Sequence, residues 1–172
     1  MSNGIYLLDS NALISPHRRY YRFTFCPGFW DFVYQQFEEK ETASILKVYD
    51  EISRNSDALS VWLTTQLDKK HFADTTIDNA VLSKYDEVST WVLSSEQYDE
   101  NAKRKFLQVD AADPWICAYA ATYGLTVVTE EVSAPHAKRR VSLADLLDAF
   151  DVPYVNLFEY LETQQAKFVL NT

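Results

Sequence analysis

Six carboxylates carry most of the chemistry this chain can do: Asp9, Glu51, Asp110, Asp113, Glu130 and Glu131. Asp9 ends the apolar run Ile5-Tyr6-Leu7-Leu8, Asp110 and Asp113 stand just before a helix start at Pro114, and Glu130-Glu131 end the β-branched run Leu125-Thr126-Val127-Val128-Thr129. A parallel sheet gathers groups at the carboxyl ends of its strands. Acidic groups gathered without Lys or Arg beside them repel one another unless cations neutralise them, and hard oxygen donors of this kind select Mg²⁺ or Mn²⁺. Each residue alone has a plainer role. Asp113 before proline is a good helix N-cap, and Asp9-Ser10-Asn11 suits a turn at a strand end. Glu51 fits a solvated helix surface, and Glu130-Glu131 fit a loop. Only their joint placement points to a metal site.

Basic residues fall near these positions. His17, Arg18, Arg19 and Arg22 alternate with Tyr20, Tyr21 and Phe23, a composition suited to phosphate contacts and base stacking. Lys138, Arg139 and Arg140, with His136, follow Glu131 closely, while Lys103-Arg104-Lys105 reads as a solvated helix face. The plainer alternative places the aromatics in the core and pairs the arginines with the excess acid. The first two patches are expected to border the acidic site and guide a single strand into it.

The elements that must position these groups alternate. Strands are expected at Ile5 to Leu8, Ala43 to Leu46, Leu125 to Thr129 and Tyr154-Val155. Helical spacing runs from Pro27 to Phe37, with Phe29, Phe32, Val33 and Phe37 apolar. It resumes from Lys47 to Lys69, broken near Arg54 to Asp57, where Asn55-Ser56-Asp57 can cap a second helix. Further helices are expected over Asp78 to Leu93, Asp99 to Leu107, Trp115 to Tyr123 ending at Gly124, Leu143 to Phe150, and from Leu157. Alternating strands and helices indicate an α/β fold whose sheet is mostly parallel and covered on both faces by right-handed crossovers.

Composition narrows the class. Of the 172 residues 47% are hydrophobic, and no repeat or linker divides them, so one domain over 1–172 is expected. Cys26 and Cys117 form no metal-binding or disulfide pattern, and no apolar run approaches the ~18 residues of a membrane helix; a reducing cytoplasm is the expected setting. The net charge of −9 argues against duplex binding through a general positive field, but not against an acidic enzyme acting on phosphodiesters.

Four segments taken in order resemble the PIN-domain nucleases, within them a branch related to VapC-type toxins: Leu7-Leu8-Asp9-Ser10-Asn11, Val48-Tyr49-Asp50-Glu51-Ile52, Asp113-Pro114-Trp115-Ile116-Cys117-Ala118-Tyr119-Ala120, and Thr126-Val127-Val128-Thr129-Glu130-Glu131. The Arg19-Tyr20-Tyr21 and Pro27-Gly28-Phe29-Trp30 runs and Trp62 extend the likeness over nearly the whole chain. The resemblance implies a three-layer α/β/α PIN-like fold and a Mg²⁺- or Mn²⁺-dependent endoribonuclease of the cytoplasm, often the toxin of a toxin–antitoxin pair. It implies Asp9, Glu51 and Asp113 as the main acidic triad, with Ser10, Asn11 and Thr129 as polar groups around them. Family members place Asp or Asn two positions after the strand-end threonine, where this chain has Glu131, so Glu130 or Glu131 can complete the site and Asp110 can supplement it. RNA substrate, an antitoxin and a homodimer are the implied partners, with Tyr154 to Leu161 as interface or core. The rival from another class is a PIN-like module that binds RNA or an antitoxin and cuts nothing. A haloacid-dehalogenase-like phosphatase needs an acid where Asn11 stands, and a dinucleotide-binding enzyme needs a GxGxxG that three glycines do not supply.

Overall fold

The computed structural model describes residues 5–170. Five short strands, β1 (Tyr6–Leu8), β2 (Thr42–Ile45), β3 (Phe72–Ala73), β4 (Thr126–Val128) and β5 (Tyr154–Val155), form one sheet in the order β3-β2-β1-β4-β5. Every pairing is parallel, with Leu7 opposite Ala43 on one side and Val127 on the other. The central strands are largely buried because helices cover both faces; β1 and β4 are accordingly mostly apolar, while β2 buries Thr42 and Ser44, whose hydroxyls bond the Tyr160 hydroxyl and Leu8 C=O.

The helices are α1 (Asn11–Ser15), α2 (Pro27–Glu38), α3 (Leu46–Ser53), α4 (Ala58–Gln66), α5 (Asn79–Ser94), α6 (Glu100–Phe106), α7 (Asp113–Tyr123), α8 (Leu143–Ala149) and α9 (Leu157–Thr163). The chain steps from β1 through β2 to β3 in one direction, then crosses to β4 and β5 in the other. Right-handed crossovers therefore put α1 to α4 on one face and α5 to α8 on the opposite face. The packing agrees: α3 lies on α4, and α7 lies between α5 and α8. This is the three-layer α/β/α architecture.

The direction of winding reverses between β1 and β4, and open parallel sheets bind ligands in the crevice at such a switch point. Here the crevice opens beyond Leu8 and Val128, the residues immediately before Asp9 and Thr129.

Most caps follow the sequence. Asp57, Asp78, Asp99 and Ser142 each accept from a backbone N–H in the first turn of the helix that follows. Gly124 ends α7 in the left-handed conformation, φ 65°, that favours glycine.

Three features depart from expectation. The segment after Asp9 is a helix, α1, and not a turn, and it runs on into a π turn over Pro16–Tyr20 in which Tyr21 N–H donates to Pro16 C=O at 2.8 Å. Pro16 has no N–H to continue the α ladder, which accounts for the break. A fifth strand, β3, pairs with β2 at the sheet edge; two residues are too few to show a period. Asp113 is the first residue inside α7 and caps nothing, since Ala112 holds the N-cap position.

Cys117 lies in the core, its thiol pushed up to about 12 by burial, and Cys26 is half-buried; neither is paired. Among the described residues no helix is long and apolar enough to cross a membrane.

Candidate functional site

Asp9 is buried at the end of β1, with its carboxylate held from two sides. Ser10 N–H donates to Oδ1 at 2.6 Å because α1 begins there, and Thr129 Oγ donates to Oδ2 at 3.0 Å because β4 ends beside β1. Desolvation still raises the Asp9 carboxyl to about 7. The Thr129 and Ser10 hydrogen bonds oppose the rise, and the charges of Glu131 and Glu51 add to it.

Glu51 reaches the same crevice from α3. Ser10 Oγ donates to its Oε2 at 2.6 Å, so Ser10 links two carboxylates, by its backbone to one and by its hydroxyl to the other. Asp113, at the start of α7, is raised well above the ordinary carboxylate value by burial, then by the charges of Asp9, Glu131 and Glu51, with Arg140 opposing. The structure therefore brings Asp9, Glu51 and Asp113 into one electrostatic cluster. Asn11, on the first turn of α1, lines an adjoining cavity together with Glu131 and Ser142.

The three remaining carboxylates divide. Glu131 faces the cluster, but both of its oxygens are engaged: Oε1 pairs with Arg140, and Oε2 accepts from Leu143 N–H at 2.8 Å and Ser142 Oγ at 3.2 Å. It caps α8 as well as facing Asp9, and the added methylene of glutamate gives it that reach. Glu130 points elsewhere, accepting from Leu157 N–H at the start of α9 at 3.0 Å. Asp110 borders a cavity with Glu51 and Asp113, but its carboxylate pairs with Arg54 at 3.0 Å and is well exposed.

The expected basic patches rearrange. Arg19 lines the cavity of about 470 Å³ that holds Glu131 and Arg140. Arg18 and Arg22 open into a different depression beside Ala58, and His17 stands 3.8 Å from Asp57 with its ring against Phe23 and Trp30. The π turn turns Arg19 toward the acidic crevice and its neighbours away. Arg139 and Arg140 line a cavity of about 370 Å³ next to Asp113, and Lys138 ties its loop to α6 through a C=O that accepts from Asp99 N–H at 2.9 Å. Lys105 is exposed, as a solvated helix face requires, and also lines that same cavity, whereas Lys103 departs from that reading: it is buried and donates to Leu93 C=O. The position of Lys105 beside Asp113 depends on how α6 packs, which no local sequence signal carries.

Among the described residues no three His, Cys, Asp or Glu side chains stand close enough to enclose an ion by themselves. The donor chemistry nonetheless fits a hard divalent cation. Asp9 and Asp113 are oxygen donors whose ionisation is opposed by burial and by neighbouring carboxylates, and Mg²⁺ is commonly held by one or two carboxylates with water and substrate phosphate filling the rest.

Residues 6–168 match the family model described as Domain of unknown function (DUF4411), and the chain belongs to that family. No curated protein matches the sequence. Among solved structures it is similar to FitAcB from Neisseria gonorrhoeae, at 18% identity over 90% of this chain and 99% of that one, TM-score 0.50. It is also similar to VapBC2 from Rickettsia felis bound to a DNA fragment from their promoter, at 14% identity over 88% and 98%, TM-score 0.48. At 18% identity the likeness to FitAcB is one of fold alone, and that fold is the three-layer α/β/α arrangement that the resemblance to PIN domains implies.

Proposed function

We propose that this protein is a Mg²⁺- or Mn²⁺-dependent endoribonuclease that hydrolyses RNA phosphodiester bonds. One observation carries the reading: Asp9 and Asp113 are buried at the switch point of the sheet with their carboxyls raised, first by burial and then by neighbouring carboxylates, Glu131 and Glu51 for Asp9 and Asp9, Glu131 and Glu51 for Asp113. Cation binding relieves that cost. Asp9 and Asp113 would hold the ion, with Glu51 ligating it or orienting water, and the ion when bound supplies Lewis acidity and a more acidic water. Ser10 and Thr129 fix the orientation of the Asp9 carboxylate. Arg19, Arg139, Arg140 and Lys105 bind backbone phosphates beside the carboxylates. The role of toxin, an antitoxin partner and a homodimer rest on the resemblance of the acidic segments to VapC-type toxins.

The test is cleavage of a mixed single-stranded and structured RNA pool, with single-stranded DNA alongside, in Mn²⁺, in Mg²⁺ and in chelator. Wild type should cut RNA only with metal, and Asp9→Asn and Asp113→Asn should each lose at least a hundredfold while remaining folded. Equal activity of wild type and variants after rigorous purification overturns the reading.

A second reading has its own support. Both oxygens of Glu131 are engaged by Arg140 and by the start of α8, as suits a module that binds RNA or an antitoxin without cutting it. Mn²⁺ affinity that depends on neither Asp9 nor Asp113 would favour that module.

A further inference from the structure

The cavity of about 370 Å³ beside Asp113 has a make-up that the carboxylates do not require. Ala102, Phe106 and Val141 give it a buried apolar floor, and Lys105, Arg139 and Arg140 surround its mouth with exposed positive charge. Ala102, Lys105 and Phe106 are spaced i, i+3, i+4 and so share one face of α6, while 139–141 form the facing wall. The two walls are tied together. Asp99 N–H, at the α6 N-cap, donates to Lys138 C=O at 2.9 Å, and Gln97 Nε2 donates to Ala137 C=O at 2.9 Å.

We infer that this recess is a nucleobase pocket, which takes one base of a single-stranded RNA next to the bond cut at Asp113. The inference rests on the nuclease reading and deepens it to a determinant of substrate choice. An apolar floor is of no use to a free phosphate, and a cationic mouth is of no use to a purely apolar ligand. A flat heterocycle joined to phosphate uses both, and the volume suits a small bound group. Phe106 is buried and meets the recess at its floor, so it offers the base an apolar contact rather than a free stacking face. Arg140 lines this recess and also the Arg19 cavity, so it stands where the backbone passes from one to the other.

Binding in chelator separates this pocket from catalysis. Fluorescence anisotropy would compare four homopolymer RNA hexamers with an abasic ribose-phosphate hexamer of the same charge. At least one homopolymer should bind tenfold or more tighter than the abasic strand. Ala111, in the loop before α7, also lines the recess, so Ala111→Leu should fill it, bring that gap within twofold and leave abasic binding unchanged. Phe106→Leu, which replaces the flat floor with a branched one, carries the same expectation if Ala111→Leu does not fold. Lys105→Glu should weaken all five strands together. The inference is overturned if the five strands bind wild type alike, if the gap survives in the folded variants, or if free mononucleotides match the hexamer. Failure of the nuclease reading looks different: no metal-dependent cleavage, with the base-dependent gap intact.

Discussion

At the residue scale, the cost of the cluster falls on both Asp9 and Asp113, whose carboxyls are raised by burial before anything else. The Asp9 carboxyl sits near 7 when folded against an ordinary value of 3.8, so the folded state binds a proton that the unfolded state has already released between those values. The contribution of Asp9 to stability is therefore most favourable below pH 3.8 and is lost as pH rises through 7. Asp9→Asn should raise the unfolding midpoint of the metal-free protein by several degrees at pH 8 and by much less at pH 4, at about 2–4 °C per kcal/mol for a chain of this size. Midpoints measured at both pH values with chelator check it; a pH-independent difference would contradict the burial argument. Glu131 behaves in the opposite way. Removing its side chain leaves Leu143 N–H and Arg140 without their acceptor, so Glu131→Ala should cost about 1–3 kcal/mol in denaturant unfolding. A variant as stable as wild type would show that the α8 cap contributes little.

At the element scale, the β1–α1 and β4–α8 junctions do most of the positioning. Leu7-Leu8-Asp9 and Val127-Val128-Thr129 announce their strands by apolar runs that stop at polar residues, and the caps at Asp57, Asp78, Asp99 and Ser142 are visible as residue types. For that reason four of the five strands are legible in the sequence, and Thr129 is legible as a polar group at a strand end, while its hydrogen bond to Asp9 follows from the β1–β4 pairing. Glu130 and Glu131 were not separable, because neighbours in a loop differ only in direction and that is set by α8 and α9 docking. The division of Arg18 from Arg19 depends on the π turn, and the place of Lys105 depends on α6 packing; both are tertiary outcomes. The orientation of Glu130 is testable. It reinforces a cap already built from Asn156 and Glu159, so Glu130→Ala should lower stability by about 1 kcal/mol and leave cleavage within a few-fold. A hundredfold loss of cleavage would return Glu130 to the site.

At the scale of the whole molecule, a chain of net charge −9 places four cations around one acidic crevice. Counterion release makes the consequence measurable. Arg19→Glu should weaken single-stranded RNA binding and reduce its salt slope by about one, while Arg18→Glu, on the far side of the π turn, should change both much less; equal effects would remove the proposed path. The order of the sheet has a further consequence, for biosynthesis. Asp9 and the threonine that holds it are separated by 120 residues, and β1 needs β4 beside it to form the crevice. A nascent chain still lacking β4 has its first carboxylate but not the crevice around it. Translation products that stop short of β4 would therefore lack the crevice that the proposed cleavage needs, and would be harmless to the RNA they were read from.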